Sequence, residues 1–303
     1  MKAMKALISV LALALLIRPS AAASGPVRGQ EGLETALTAG EKTAGPGEAK
    51  AEAREDPAPP KMPFETPAFW GTRLVNLPTT TTIDAKDVLF RISHRFYGPV
   101  AEGYDTFFGL DSGANVLFSL GYGITDRLSI SVGRARLYSE WELGLDWLVL
   151  EQGGNTGLPF SATLHAGADW VTMEGSGTVK GSFQVSLARQ VNKRLSLLVV
   201  PAFATNTNFW ELDPRGTFSL GLGSRYMIFN ELSVILEWIP VLSGYKDVQN
   251  GWGFGIEKKI GGHVFQVVLT NAFGLTGSQF VPGGDLRLQD LDFRIGFNIF
   301  RTF

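Results

Sequence analysis

Histidine, the side chain most suited to proton transfer and metal ligation near neutral pH, occurs three times in this chain, and cysteine is absent. His94 follows Ser93, His165 has Asp169 four residues on, and His263 sits beside a glycine pair. No two histidines have the four-residue spacing of a helical zinc site, and the thiolate ligand sets are missing. Adjacent residues on a strand face opposite ways, so Ser93 and His94 cannot act together as nucleophile and base. The simpler reading of each imidazole is structural or interfacial. No catalytic, cofactor-binding or metal-ligating residue is assigned, and the chain is read as not an enzyme. Gly251-Trp252-Gly253-Phe254-Gly255 is not a phosphate loop either, because no helix follows to supply the anion site. Its glycines instead relieve crowding on one face of a strand or let that strand coil.

Charge placed at alternate positions says more. Arg91, Arg95, Glu142, Asp146, His165, Asp169, Glu237, Asp292 and Arg294 all share the polar parity of their segments. Antiparallel neighbours bring Asp146 near His165 and Glu142 near Asp169. One wall of the enclosed space would then carry arginine and another carboxylate. Two outcomes stand equally: a charged passage that selects solutes, or a self-neutralising polar filling.

The elements that must hold these groups are strands. Leu128, Ile130 and Val132 alternate with Ser129, Ser131 and Gly133, and Phe218, Leu220 and Leu222 alternate with Ser219, Gly221 and Gly223. Twelve such segments are expected, near 86–96, 113–123, 127–137, 139–150, 159–171, 178–190, 194–204, 215–227, 231–240, 251–259, 262–271 and 290–301. Short links alternate with long ones, except that the link near Tyr138 is tight and the one at 151–158 is longer. Outer-membrane barrels show this asymmetry. Trp141, Trp170, Trp238 and Trp252 fall near the long-loop end, and Tyr122, Trp147, Tyr226 and Phe303 near the other, as two interfacial girdles would. Arg134 and Arg136 carry the lipid-facing parity, which a bulge at Gly133 or a strand already clear of the membrane would explain. The expected fold is therefore all-β: a transmembrane, antiparallel, up-and-down barrel of about 12 strands over 86–303.

Composition agrees. Charged residues make up 18% against the roughly 25% of soluble domains, and a net charge of −2 gives no basic face for nucleic acid. No stretch after residue 23 is apolar over the ~18 residues that a membrane helix needs. Lys2 and Lys5, the apolar run Leu7–Ile17 and Ala21-Ala22-Ala23 predict a signal peptide over 1–23. Residues 24–65, rich in Ala, Gly, Glu and Pro, predict a disordered periplasmic tether, with a periplasmic partner as its functional alternative. Residues 66–85 are the lead-in to the first strand.

The most specific text is Arg-Ile-Ser-His-Arg-Phe at 91–96, Gly-Leu-Asp at 109–111, Tyr-Gly-Ile-Thr-Asp-Arg-Leu-Ser-Ile at 122–130 and Gly-Arg at 133–134, preceded by Thr-Arg-Leu-Val-Asn-Leu-Pro-Thr at 72–79. This resembles a family of bacterial secreted β-barrel proteins known only as a domain of unknown function, over about 70–303. The resemblance implies a barrel and supplies no activity. The partners expected are the lipid bilayer and the outer-membrane assembly machinery, which reads an aromatic C-terminus such as Phe303. Arg301 departs from the apolar pattern usual there. An even strand count puts both barrel ends, and the tether, in the periplasm of a Gram-negative cell. The leading function is a narrow porin-like channel for small polar solutes. The alternatives are a non-conducting structural or partner-binding barrel and, less favoured, a membrane-embedded lipid enzyme.

Overall fold

Successive side chains on a strand leave opposite faces, so the alternating pattern makes each segment two-sided. The computed structural model describes residues 66–153, 157–173, 178–208, 216–290 and 292–303; the signal peptide and tether expected over 1–65 lie outside them. Its strands are β1 (Val88–Phe96), β2 (Ala114–Thr125), β3 (Leu128–Ala135), β4 (Glu140–Leu150), β5 (Ser161–Val171), β6 (Val179–Gln190), β7 (Leu195–Ala204), β8 (Thr217–Phe229), β9 (Leu232–Ile239), β10 (Val241–Gly244), β11 (Gly251–Ile260), β12 (His263–Thr270) and β13 (Arg294–Thr302). Among the described residues no helix is long and apolar enough to cross a membrane.

All neighbours are antiparallel, and β13 closes the ring on β1, from Leu89 opposite Thr302 to Arg95 opposite Gly296. β10 continues β9 past Pro240, whose missing N–H interrupts the ladder, and pairs with the outer end of β8. The thirteen segments thus make the expected twelve staves. Closure removes the unpaired edges that lipid cannot satisfy. Leu120, Val132, Leu143, Leu145, Phe183 and Leu236 stand exposed on the outside, while Ser119, Thr163, Gln184, Ser219, Gln266 and Asn298 are buried within.

The short turns gather at one end. At one of them the Asn192 side-chain oxygen accepts the N–H groups of Arg194 at 2.8 Å and Leu195 at 2.9 Å. The long links gather at the other end, where Tyr138 and Ser139, with φ of 57° and 51°, make the exceptional tight one. The register of β2 with β3 runs unbroken from Leu117 opposite Ala135 to Gly123 opposite Ser129, so Gly133 forms no bulge. Arg134 instead lies 5.4 Å over the Trp141 ring, level with the upper aromatics. The last strand begins later than its alternation suggests. Asp292 precedes it, in a turn where its N–H donates to the Arg287 carbonyl, so Asp292 does not share the inward row of Arg294.

Candidate functional site

Residues 66–85 do more than lead into β1: they enter the barrel as a hairpin. The Leu74 N–H donates to the Leu77 carbonyl at 2.8 Å, the Thr79 N–H to the Thr72 carbonyl at 3.1 Å, and Arg73 pairs antiparallel with Pro78. The Thr79 hydroxyl donates to the Gly71 carbonyl at 2.7 Å and the Thr81 hydroxyl to the Phe69 carbonyl at 2.9 Å. One leg therefore rises to a tip at Val75-Asn76 and the other descends. Both legs meet the barrel at its short-turn mouth. There the Thr82 hydroxyl donates to the Asp126 carbonyl at 2.8 Å, the Ala85 N–H to the Asp126 carboxylate at 3.0 Å, and Arg225 Nη2 to the Pro67 carbonyl at 3.2 Å. A cavity of about 400 Å³ lies at this mouth, lined by Pro67, Ala68, Thr80, Asp126, Arg127 and Gln190 among others.

The tip is held by charge. The Glu237 carboxylate on β9 accepts the N–H groups of Val75 at 3.1 Å, Asn76 at 2.9 Å and Leu77 at 3.1 Å, and the Asn76 side-chain amide at 2.9 Å. Arg95 on β1 donates to the Val75 carbonyl and the Asn76 side-chain oxygen, both at 3.0 Å. It reaches Asn298 at 3.0 Å, and Asn298 donates back to the Val75 carbonyl at 3.0 Å. A buried carboxylate is tolerable only when donors surround it, and here the backbone of the hairpin supplies most of them.

The apolar side chains of the hairpin fill space that the wall leaves free. Leu74, Val75 and Leu77 cluster with Leu198, Val200, Ile235, Ile239 and Val268. A Cβ at Gly221 would collide with Leu77, one at Gly223 would lie 2.6 Å from Leu74, and one at Gly253 would lie 2.9 Å from Val75. The inward glycines thus make room for an inserted segment.

The inward charges meet one another directly. Arg91 Nη2 bonds Glu142 at 3.1 Å across the intervening strands β2 and β3. Asp146 faces His165 as its register partner, with Oδ1 2.7 Å from Nδ1. His165 Nε2 lies 2.9 Å from the Ser186 hydroxyl, which also donates to the Pro78 carbonyl of the hairpin at 2.7 Å.

Above the tip, the link from β12 to β13 dips inward. Phe280 and Val281 are buried, and the Ser219 hydroxyl donates to the Val281 carbonyl at 2.6 Å. Asp169 accepts the Ser278 N–H at 3.2 Å, Glu140 bonds Lys180 at 3.0 Å and Gln279 at 3.1 Å, and Arg294 grips Asp285 with two bonds of 2.7 Å.

The aromatic residues fall into two levels. Trp141 faces Trp170 and Trp238 faces Trp252 toward the long loops; Tyr122, Trp147, Tyr226 and Phe303 stand toward the short turns. All are exposed by about half except Phe303, which is more exposed, and Trp252, half-buried with an edge-on contact to Phe293. His94 lies on the outer face, stacked on Phe297, and His263 accepts Arg301 at 2.8 Å, so Arg301 has a partner at the lower rim. Among the described residues no group of three or more His, Asp or Glu could hold a metal ion.

Residues 69–303 match a family described as a membrane bound beta barrel domain (DUF5777). The chain belongs to that family. No curated protein matches it. The solved structures similar to this membrane-bound barrel include the NanC porin, at 7% identity and a TM-score of 0.45, covering 72% of this chain and 98% of that one. Outer membrane phospholipase A from Escherichia coli is similar at 11% identity and a TM-score of 0.40, covering 75% and 95%. Omp33 of Acinetobacter baumannii is similar at 10% identity and a TM-score of 0.39, covering 73% and 99%. These are likenesses of architecture alone.

Sequence reasoning passed over Lys180 and Arg225, although they share the inward parity of Ser182 and Gly223 and the alternation could have found them. The hairpin had a fainter signal, in the Thr-Arg-Leu-Val-Asn-Leu-Pro-Thr text and in the run of inward glycines.

Proposed function

We propose that this membrane-bound barrel is an outer-membrane channel for small polar solutes that rests closed, with residues 69–83 as its gate. One observation carries the reading: the hairpin enters and leaves by the same mouth, so it can withdraw without threading through the ring. The glycine seat at Gly221, Gly223 and Gly253 supports it, because a barrel closed by its own wall would fill that space with its own side chains. Twelve staves enclose more room than the eight that side chains alone fill. The charged lining of Arg91, Arg95, Glu142 and Glu237 would then act on solutes after the hairpin leaves. The inward fold of 277–281 favours a second reading, a barrel closed permanently and used for structure.

Leu77→Cys with Gly221→Cys in this cysteine-free chain tests the choice. The Cβ position at Gly221 lies 3.2 Å from Leu77 Cγ, close enough for a disulfide between the two sites. In planar bilayers the oxidised pair is expected to stay closed, and reductant to restore the openings of the parent. A parent that never conducts supports the structural barrel. An oxidised pair that conducts like the parent removes the hairpin as the gate.

A further inference from the structure

We infer that a single proton shared by Asp146 and His165 latches the hairpin, an inference that rests on reading the hairpin as a movable segment. The reason is hydrogen-bond accounting. Four groups stand in a row: the Asp146 carboxylate, the His165 ring, the Ser186 hydroxyl and the Pro78 carbonyl, at successive spacings of 2.7, 2.9 and 2.7 Å. The two ends can only accept when Asp146 is ionised, and a hydroxyl has one proton to give.

With a carboxylate and a neutral ring, Nδ1–H points at Asp146 and Nε2 presents a lone pair to Ser186. Ser186 must then choose between His165 and Pro78. Its proton goes to the ring or to the hairpin, and the other acceptor is left buried without a donor. One more proton on the pair removes the conflict. Nε2–H donates to the Ser186 oxygen, and the Ser186 proton is free for Pro78. The same holds whether the added proton resides on the ring or on the carboxylate. His165 and Ser186 are buried, so water cannot readily replace the missing donor.

The surroundings favour control by this proton. Beside the row, β6 contributes the neutral Gln184 as the register partner of His165, and the descending leg contributes the neutral Thr80, whose carbonyl accepts the Thr163 hydroxyl at 3.3 Å. Besides His165 itself, the cationic side chains that face Asp146 are Arg73 from the rising leg and Arg91 from β1. Arg91 is itself bonded to Glu142 on β4, and Asp169 lies two inward steps up β5 from His165, past Gly167, bonded to Ser278. Arg73 moves with the hairpin and, as a cation, is drawn to the ionised pair, so its attraction opposes release and the hydrogen-bond conflict must outweigh it. Histidine exchanges protons in the pH range that cells and their surroundings cross. The hydrogen-bond accounting sets the sign: the proton-bound row holds Pro78, and raising the pH releases it.

Hydrogen exchange on the full chain in lipid tests the latch without relying on conduction. After correction for intrinsic exchange, amides in 72–80 are expected to exchange about tenfold faster at about pH 8 than at about pH 5.5, the scale of one hydrogen bond, while β2 amides keep their protection. Ser186→Ala and Asp146→Asn should each flatten that contrast, Ser186→Ala by exchanging fast at both values. Either variant suffices if the other fails to fold. Equal exchange of 72–80 in the wild type at the two values, or an unchanged contrast in the variants, overturns the latch. Lack of conductance alongside an intact contrast would count against the channel and leave the latch standing.

Discussion

At the scale of single residues, the interior is decided by groups that no local pattern identifies as partners. Glu237 and Asn76 are separated by 161 residues and make contact through three bonds. The parity of β9 shows that Glu237 points inward; nothing near it in the chain says that a backbone turn will meet it. The pairs Asp146–His165 and Glu142–Asp169, by contrast, follow from antiparallel register between neighbouring strands, and the structure has both in register. The glycines were legible as space and not as a seat, because the occupant is encoded far upstream. This seat gives a test by paired substitution. Gly221→Ala alone is expected to cost about 1–3 kcal/mol by overpacking against Leu77. Leu77→Ala alone should cost about 2–5 kcal/mol through lost packing, and the double variant less than the sum. Denaturant titrations followed by tryptophan fluorescence would give the coupling; strict additivity would mean that the two do not touch.

At the scale of elements, alternation was sufficient for twelve staves, since lipid outside and polar groups inside impose the two-residue period directly. Its errors fall where another force takes over. Pro240 interrupts the ninth stave, and the turn Leu288–Asp290 delays the last one, taking Asp292 out of the wall. Depth along the staves is testable. Leu143 lies on the outer face of β4 between Trp141 and Trp147, and Leu242 lies on β10 beyond the level of Trp238. Leu143→Arg should destabilise the barrel by about 2–4 kcal/mol, and Leu242→Arg by about 1 kcal/mol or less. Folding titrations in lipid vesicles decide; equal costs would place the two residues at one depth.

At the scale of the whole molecule, the even number of staves puts both ends of the barrel at the short-turn mouth, together with both legs of the hairpin. If that mouth faces the periplasm, an epitope inserted beside Tyr104, which is 82% exposed, should bind antibody on intact cells, and one at Asn192 should not. The opposite pattern would invert the protein. The hairpin also bears on how such a body is made. Its tip is gripped by Arg95 near the start of the ring, by Glu237 three-quarters of the way round, and by Asn298 on the stave that closes it. The first segment of the fold is therefore finished by the last. A growing sheet that curls around the hairpin has a mandrel, and the seam between β1 and β13 is where the wrapping is tied off. A chain that tied the seam with the mandrel outside would have its ladder bonds complete and its glycine seat vacant, a fault that strand pairing alone could not correct.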